Sequence, residues 1–544
     1  MLQDSCQTQS QPHTSLMHRA LHVSEIVELI VSNLRPTPDN STLAALGRTS
    51  QLFHAHALDA LWHHQACASN VIKCFPDDLW ESRRYVDSAR FTLTFRRSIT
   101  TADWDRFLHY SSRIRSFQCP SLYEEDASQI YDVLLHTEIP GKHLLPNLRS
   151  LSTNNNCQPI PSAHLALFMA PRVSAIHLLI VHASLFPVLP EKYPALKAIN
   201  VGRTEWPGFD TREDAEDADP PGSRCVSALL CGLHSLELVE TVYVDLVALV
   251  HLGKLPKLKA LTLHGLPMPS ISLSSLVDQD LFRHLLHVKL SPPWSRISSV
   301  PGFIRSWTHP PIVSLRINVP VSPTAASMQD IFSTLSEHCS STSLKSLEIS
   351  RGYSEDMDFE IGEVLPSAVL GNLTCFGNLV EFSMDTLIGY DLDDAGMADL
   401  ARAWPRIEVL HFKALWHSDT PMVTIASVRV LAEHCPNLRH LELTFDASSI
   451  PSLPGSDSLP LQLNLHTLDV AHSPVTDAVE TARYISVIFP NLSEIHSDKE
   501  WWRDDLDYLP ENSQQDWREW GWSRVWNKVK AYFPVGDGRR LFEM

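Results

Sequence analysis

Two clusters of ligand-type side chains could do chemistry. The first is His54, His56, His63, His64 and Cys67, imidazoles and a thiol of the kind that hold zinc. His63 and Cys67 lie one helical turn apart and share a face, but His54 and His56 are two residues apart and diverge on a helix. With 27 histidines in the chain, crowding of this kind is expected without a metal. The second cluster is Asp391, Asp393 and Asp394 ahead of Gly396. It has the opening of a calcium loop but no glutamate at the closing position, so the better reading is a loop that caps a helix from Gly396 to Ala403. There is no Gly-rich phosphate loop, no G-x-S-x-G and no H-E-x-x-H. The expectation is a chain without a catalytic, metal or cofactor site, whose work is binding.

Bulk properties narrow the partners. A formal charge of -19 over 544 residues argues against a nucleic-acid backbone or an anionic membrane. The first twenty residues have no apolar h-region, and the most apolar stretch, Ala175 to Leu189, is broken by His177, His182 and Pro187. The ten cysteines form no C-x-x-C pair, which suits reduced thiols in the cytoplasm or nucleus. A protein partner is expected.

The elements that would hold such a partner repeat. An apolar-x-x-apolar-x-apolar pattern begins with a degenerate copy at Leu148/Leu151/Thr153 and recurs at Val173/Ile176/Leu178, Leu196/Ile199/Val201, Leu233/Leu236/Leu238 and Leu258/Leu261/Leu263. It goes on through Leu285, Ile312, Leu344, Leu379, Ile407, Leu438 and Leu465 to Leu492/Ile495, thirteen copies at a step of roughly 27 residues. The last two apolar residues of a copy lie two apart, so they face one side of a short strand. Helical stretches intervene, among them Ser427–Cys435 with Val428, Leu431 and Ala432 on one face, and 478–489 with Val479, Tyr484 and Ile488. No single copy can bury these faces; stacking does. Residues 140–497 therefore resemble the longer leucine-rich repeats of intracellular proteins, though no clean Asn or Cys ladder follows the strands. The expected fold is an α/β repeat, an irregular leucine-rich-repeat solenoid with short parallel strands inside and helices outside. Acidic 206–222 and Pro-rich 450–460 read as inserted loops.

Residues 18–66 do not follow the repeat. Ser24 can cap a helix with Glu25 and Glu28 in its first turn, and Val23, Ile26, Ile30 and Leu34 form a stripe on it. Pro36 and Pro38 end that helix; a second starts at Ser41 or Thr42, and a third runs near His54 to His63. The run Leu21-x-Val23-x-Glu25-Ile26, then Leu29-Ile30, Leu34-x-Pro36, Thr42-Leu43 and Ala57-Leu58-Asp59-x-Leu61-Trp62 resembles an F-box, in the F-box-like form common in fungal proteins. Ser24 stands where the usual proline would, and Arg48-Thr49-Ser50 and Phe53 replace the usual Val-Cys and Trp.

Together the two resemblances imply a substrate receptor of an SCF-type ubiquitin ligase, docked on the Skp adaptor and through it on a cullin. Transfer chemistry would belong to other subunits. The resemblance assigns Leu21, Val23, Ile26, Ile30, Leu34, Leu43, Leu46, Phe53, Leu61 and Trp62 to the F-box core and adaptor face, without separating one from the other. The captured protein would lie on strand side chains that alternate with the buried ones: Glu348, Glu381, Asp385, His411, Lys413, His440, Glu442 and Asp469. Their mildly negative balance implies a basic segment in that partner. The expected layout is a disordered 1–17, the helical domain 18–66, a helical linker with degenerate repeat over 67–139, the repeats 140–497, and a cap at 498–544. That last stretch carries Trp501, Trp502, Trp517, Trp520, Trp522 and Trp526, with a helix from about Gln515 to Phe533.

Overall fold

The structure is a computed structural model. It describes residues 23–34, 40–84, 91–119, 125–153, 161–181, 183–204, 223–242, 244–266, 281–291, 297–319, 323–351, 363–386, 389–414, 421–452, 462–471, 473–497 and 522–533, and the statements below concern these. The chain divides into two compact units, Met1–His182 and Ala183–Met544.

In the second unit, parallel strands succeed one another in chain order from Ala198–Thr204 to Glu494–His496. The central apolar residue of each copy stands in register with the next: Leu261 beside Val288, Leu315 beside Leu347, Phe382 beside Leu410, Leu441 beside Leu468. All of these are buried, and each aliphatic side chain so buried contributes roughly 1.5–3 kcal/mol. Five of the described helices between strands start where the sequence supplies a capping oxygen. Asp245, Thr324, Asp393, Thr424 and Asp477 each accept a backbone N–H from the first turn that follows. In the last of these helices Val479 is exposed and Ile485 joins Tyr484 and Ile488 in the core, so the stripe expected there is shifted by part of a turn.

One copy is out of the expected register. The strand Leu238–Thr241 pairs Val239 with Leu261 and Thr241 with Leu263. Val239 is 1% exposed and Leu238 is 39% exposed. The repeat there is Leu236-x-x-Val239-x-Thr241, not Leu233/Leu236/Leu238, because a strand of period two puts Val239 inside only if Leu238 is outside.

A second regularity sits at the helix exits. The side-chain amides of Asn147, Asn378, Asn464 and Asn491 donate to the carbonyls of Ser112, Thr342, Pro436 and Leu463, one repeat back, at 2.8, 2.8, 2.8 and 2.9 Å. Each of these asparagines precedes the first leucine of its copy. An asparagine ladder therefore exists, ahead of the strands rather than after them. Gln462 reinforces one joint: buried, it donates to the carbonyl of Leu438 at 2.6 Å and accepts from the N–H groups of Asn464 and Leu465.

The first unit follows the same rule, including within the stretch 67–139 where a degenerate repeat is expected. Strands His64–Gln65, Ser116–Cys119, Ser150–Thr153 and Ala175–Val181 run parallel in that order, and Ile114-x-x-Phe117-x-Cys119 is a full buried copy. Residues 67–139 are also more than a helical linker. Trp80–Arg84 pairs antiparallel with Phe91–Phe95, which pairs parallel with Glu125–Asp126. Phe75 stacks on Phe107 at 4.3 Å, with Phe95 and Trp104 edge-on to it.

Arg97 and Asp103 fasten that region. The guanidinium donates to both carboxylate oxygens at 2.7 and 2.8 Å, and Thr100 adds its N–H and hydroxyl. Arg97 first, then Thr100, holds the buried Asp103 carboxyl well below the usual aspartate range. A depressed folded-state pKa stabilises the fold above the unfolded pKa, near 4, and that contribution fades as pH falls below it. Asp103→Ala is expected to lower stability by roughly 2–3 kcal/mol at neutral pH. In melting curves the gap to wild type should narrow below about pH 4; a gap that stays constant to acid pH contradicts this.

Candidate interaction surfaces

Three helices, α1 (Ser24–Ser32), α2 (Asn40–Thr49) and α3 (Gln51–His63), enclose a small core of Val27, Val31, Leu43 and Phe53. Leu34, Leu46 and Leu61 pack against it, and Trp62 lies against Tyr110 with ring centroids 4.7 Å apart. Gly47 permits the close approach of α2 to α3, since a Cβ there would stand 3.3 Å from that of Ala57. The residue before α1 is Val23, with no side-chain cap, and the Ser24 hydroxyl pairs instead with the His56 ring at 3.0 Å. Ser24 thus ties α1 to α3 rather than capping the helix. Arg113 pairs with Asp59 and anchors α3 to the first repeats.

The expected α1 stripe splits in two. Val27 and Val31 are the buried pair, whereas Val23, Ile26, Leu29 and Ile30 are 44, 37, 65 and 40% exposed. Four large apolar side chains, from the residue before α1 through about two turns, form an outward patch. Leu21 lies outside the described residues.

The second surface is the open face of the strands in the second unit. Side chains that alternate with the core line up across it: Thr262, Lys289, Arg316, Glu348, Ser383, His411, Glu442 and Asp469 stand in register, strand to strand. The acids expected to give this face a negative balance are in part matched by neighbours. Glu348 pairs with Arg316, Asp385 lies 4.0 Å from Arg351, and Glu381 accepts from the Ser346 hydroxyl at 2.9 Å. Asp469 accepts the N–H of Ala471 at 2.9 Å. His440 is exposed at the strand start, and Lys413 stands in backbone register with Asp385. Upstream, Glu240 takes bonds from Asn200 at 2.7 Å and His264 at 3.1 Å.

The ligand-type clusters disperse. His54 faces the Gly47 carbonyl, His56 faces Ser24, His64 pairs with Ser116, and Cys67 pairs with Ser69. Asp393 caps its helix through the N–H of Gly396 at 2.8 Å, and Asp394 accepts from Thr424 and Ser427 of the next repeat. That helix runs Asp394–Ala403. No group of three or more His, Cys, Asp or Glu among the described residues is placed to hold a metal. Burial pushes the thiols of Cys74, Cys339 and Cys435 up to about 12, which keeps them protonated and poorly nucleophilic at neutral pH.

No protein-family profile matches this sequence, and no curated protein does. Among solved structures, the crystal structure of a TLR13–ssRNA13 complex is similar at 12% identity over 76% of this chain, with a TM-score of 0.34. This chain spans 57% of the length of that one. The crystal structure of the Rad7 and Elc1 complex in yeast is similar at 14% identity over 88% of this chain and 90% of that one, with a TM-score of 0.33. The fold is an α/β solenoid of the leucine-rich-repeat type. That statement rests on the parallel register and the repeating core.

At the far end of the second unit, the helix Trp522–Lys530 packs against the last repeats. Trp526 is buried edge-on to Phe445, its indole N–H donating to the Ser473 carbonyl at 2.8 Å, and Val529 and Phe533 are buried with it. Lys530 reaches the Ser497 hydroxyl at 3.0 Å. Trp501, Trp502, Trp517 and Trp520 lie outside the described residues. No helix among the described residues is long and apolar enough to cross a membrane.

Proposed function

We propose that the chain is the substrate-recognition subunit of an SCF-type ubiquitin ligase. The α1 face docks on a Skp adaptor, and through it on a cullin, while the strand face of the repeats captures a protein. The chain itself performs no chemistry, and ubiquitin transfer falls to the other subunits. The observation that carries the reading is the outward apolar patch of Val23, Ile26, Leu29 and Ile30, on a three-helix segment whose sequence resembles an F-box. Aliphatic side chains held outward on a helix suit a permanent protein partner better than water. Co-expression of the full chain with a Skp adaptor and a cullin tests it: all three should co-purify. Recovery of the chain alone would leave a repeat scaffold with no ligase role.

The substrate end is proposed for the later strands, where Glu442 and Asp469 offer carboxylates to a basic segment. His440 shares the Glu442 strand, His411 and Lys413 lie on the strand before it, and Glu381 and Asp385 lie one strand further back. Glu348 serves Arg316 first. Glu442→Lys with Asp469→Lys is expected to weaken capture of that protein at least about tenfold while adaptor binding stays unchanged. Equal capture by the double variant, measured by quantitative pull-down, would remove the assignment.

A further inference from the structure

The strand face is not of one sign. Along the row of open-face side chains Lys289 and Arg316 stand side by side, whereas Glu348, Glu442 and Asp469 follow on later strands. A chain of net charge -19 thus places two basic side chains next to each other on the early strands of its second unit. Around them lies a shallow depression of about 190 Å³, whose lining includes Thr262, His287, Lys289, Ser314, Arg316 and Glu348.

Lys289 and Arg316 stand in register on adjacent strands, with backbones about 4.8 Å apart. Arg316 is exposed and shares its charge with Glu348 on the next strand. Lys289 is half-buried and has no ion-pair partner among the described residues. Most other charges on this face are matched by a described neighbour. The Thr262 and Ser314 hydroxyls beside Lys289 add neutral donors.

The geometry points to this depression as a second docking subsite, one that takes an acidic peptide segment, a run of Asp or Glu, from the captured protein. Carboxylates would be met by the Lys289 ammonium and by the outer edge of the Arg316 guanidinium, whose planar fork can serve two acceptors. With Glu442 and Asp469 several strands away, the face becomes bipolar, and a partner with an acidic and a basic segment is fixed in one direction along it. The inference deepens the substrate-capture reading and does not depend on the adaptor.

Fluorescence anisotropy of the full chain, without adaptor, tests it with three labelled peptides: one rich in Asp and Glu, its Asn/Gln counterpart, and one bearing phosphoserine. The acidic peptide should bind, more weakly as salt rises, and the Asn/Gln peptide should not. Lys289→Gln with Arg316→Gln should weaken binding roughly tenfold, while Lys254→Gln, at the exposed end of the helix Leu246–Gly253, should leave it within about twofold. Should the double variant melt early because Glu348 loses its partner, Lys289→Gln alone should still cost roughly threefold. Equal binding of the neutral peptide, unchanged affinity of the Lys289 variants, or binding of the phosphopeptide alone would each overturn the assignment. Loss of adaptor binding elsewhere in the chain would leave these results untouched.

Discussion

Ile26→Asp combined with Ile30→Asp is expected to abolish adaptor capture, by more than about a hundredfold, while the chain stays folded. Both side chains point outward, at 37 and 40% exposure, so a carboxylate there meets water and costs the fold little. At a docked surface the same carboxylates would be desolvated without a partner, which is strongly unfavourable. The neighbouring buried position separates the two roles. Val27 is fully buried, and Val27→Asp is expected to break the small helical core and lose binding through unfolding. Helical signal by circular dichroism tells the cases apart: retained in the Ile26/Ile30 variant, diminished in the Val27 variant. Adaptor binding that survives the double Asp substitution contradicts the assigned face.

Trp526→Ala is expected to destabilise the second unit by roughly 3–5 kcal/mol, the range for removing a large buried aromatic. Trp526 fills the end of the core against Phe445 and bonds the Ser473 carbonyl, so its loss opens a cavity and leaves that carbonyl without its donor. Repeat arrays are held by nearest-neighbour contacts, so the damage should start at the terminal strands. Hydrogen exchange should accelerate first at Thr467–Asp469 and Glu494–His496. If Trp526→Ala leaves exchange and melting unchanged but removes partner binding, the helix is a ligand hook and the cap reading fails.

Much of this architecture was legible in the sequence because a strand's period of two and a helix's spacing leave direct marks in apolar residues. Leu441 and Leu443, or Leu347 and Ile349, admit no other register when both must be buried. The Leu238 strand was misplaced because Leu233, Leu236, Leu238 and Val239 satisfy the pattern in two frames, and only burial separates them. The Ile114/Phe117/Cys119 copy obeys the same rule inside 67–139, the stretch expected to hold a helical linker and a degenerate repeat. The asparagine ladder has a visible signal in the Asn-Leu pairs Asn147-Leu148, Asn378-Leu379, Asn464-Leu465 and Asn491-Leu492, which stand before the strands rather than after them.

The surfaces were harder to read for a different reason. In Ser24–Ser32 apolar residues occupy both faces of the helix, so periodicity could not tell Val27 and Val31 from Ile26 and Ile30. On the strand face, the partners of Glu348, Glu381 and Asp385 lie on the preceding strand, about a full repeat away in the chain. A local charge count treats such residues as free. Register is what turns them into pairs.

The most direct test is size-exclusion chromatography with light scattering on the purified full-length chain mixed with a purified Skp adaptor at micromolar concentration. A single one-to-one complex, lost in the Ile26→Asp/Ile30→Asp variant, is the predicted result. Two species eluting separately at their own masses would contradict the ligase-receptor account.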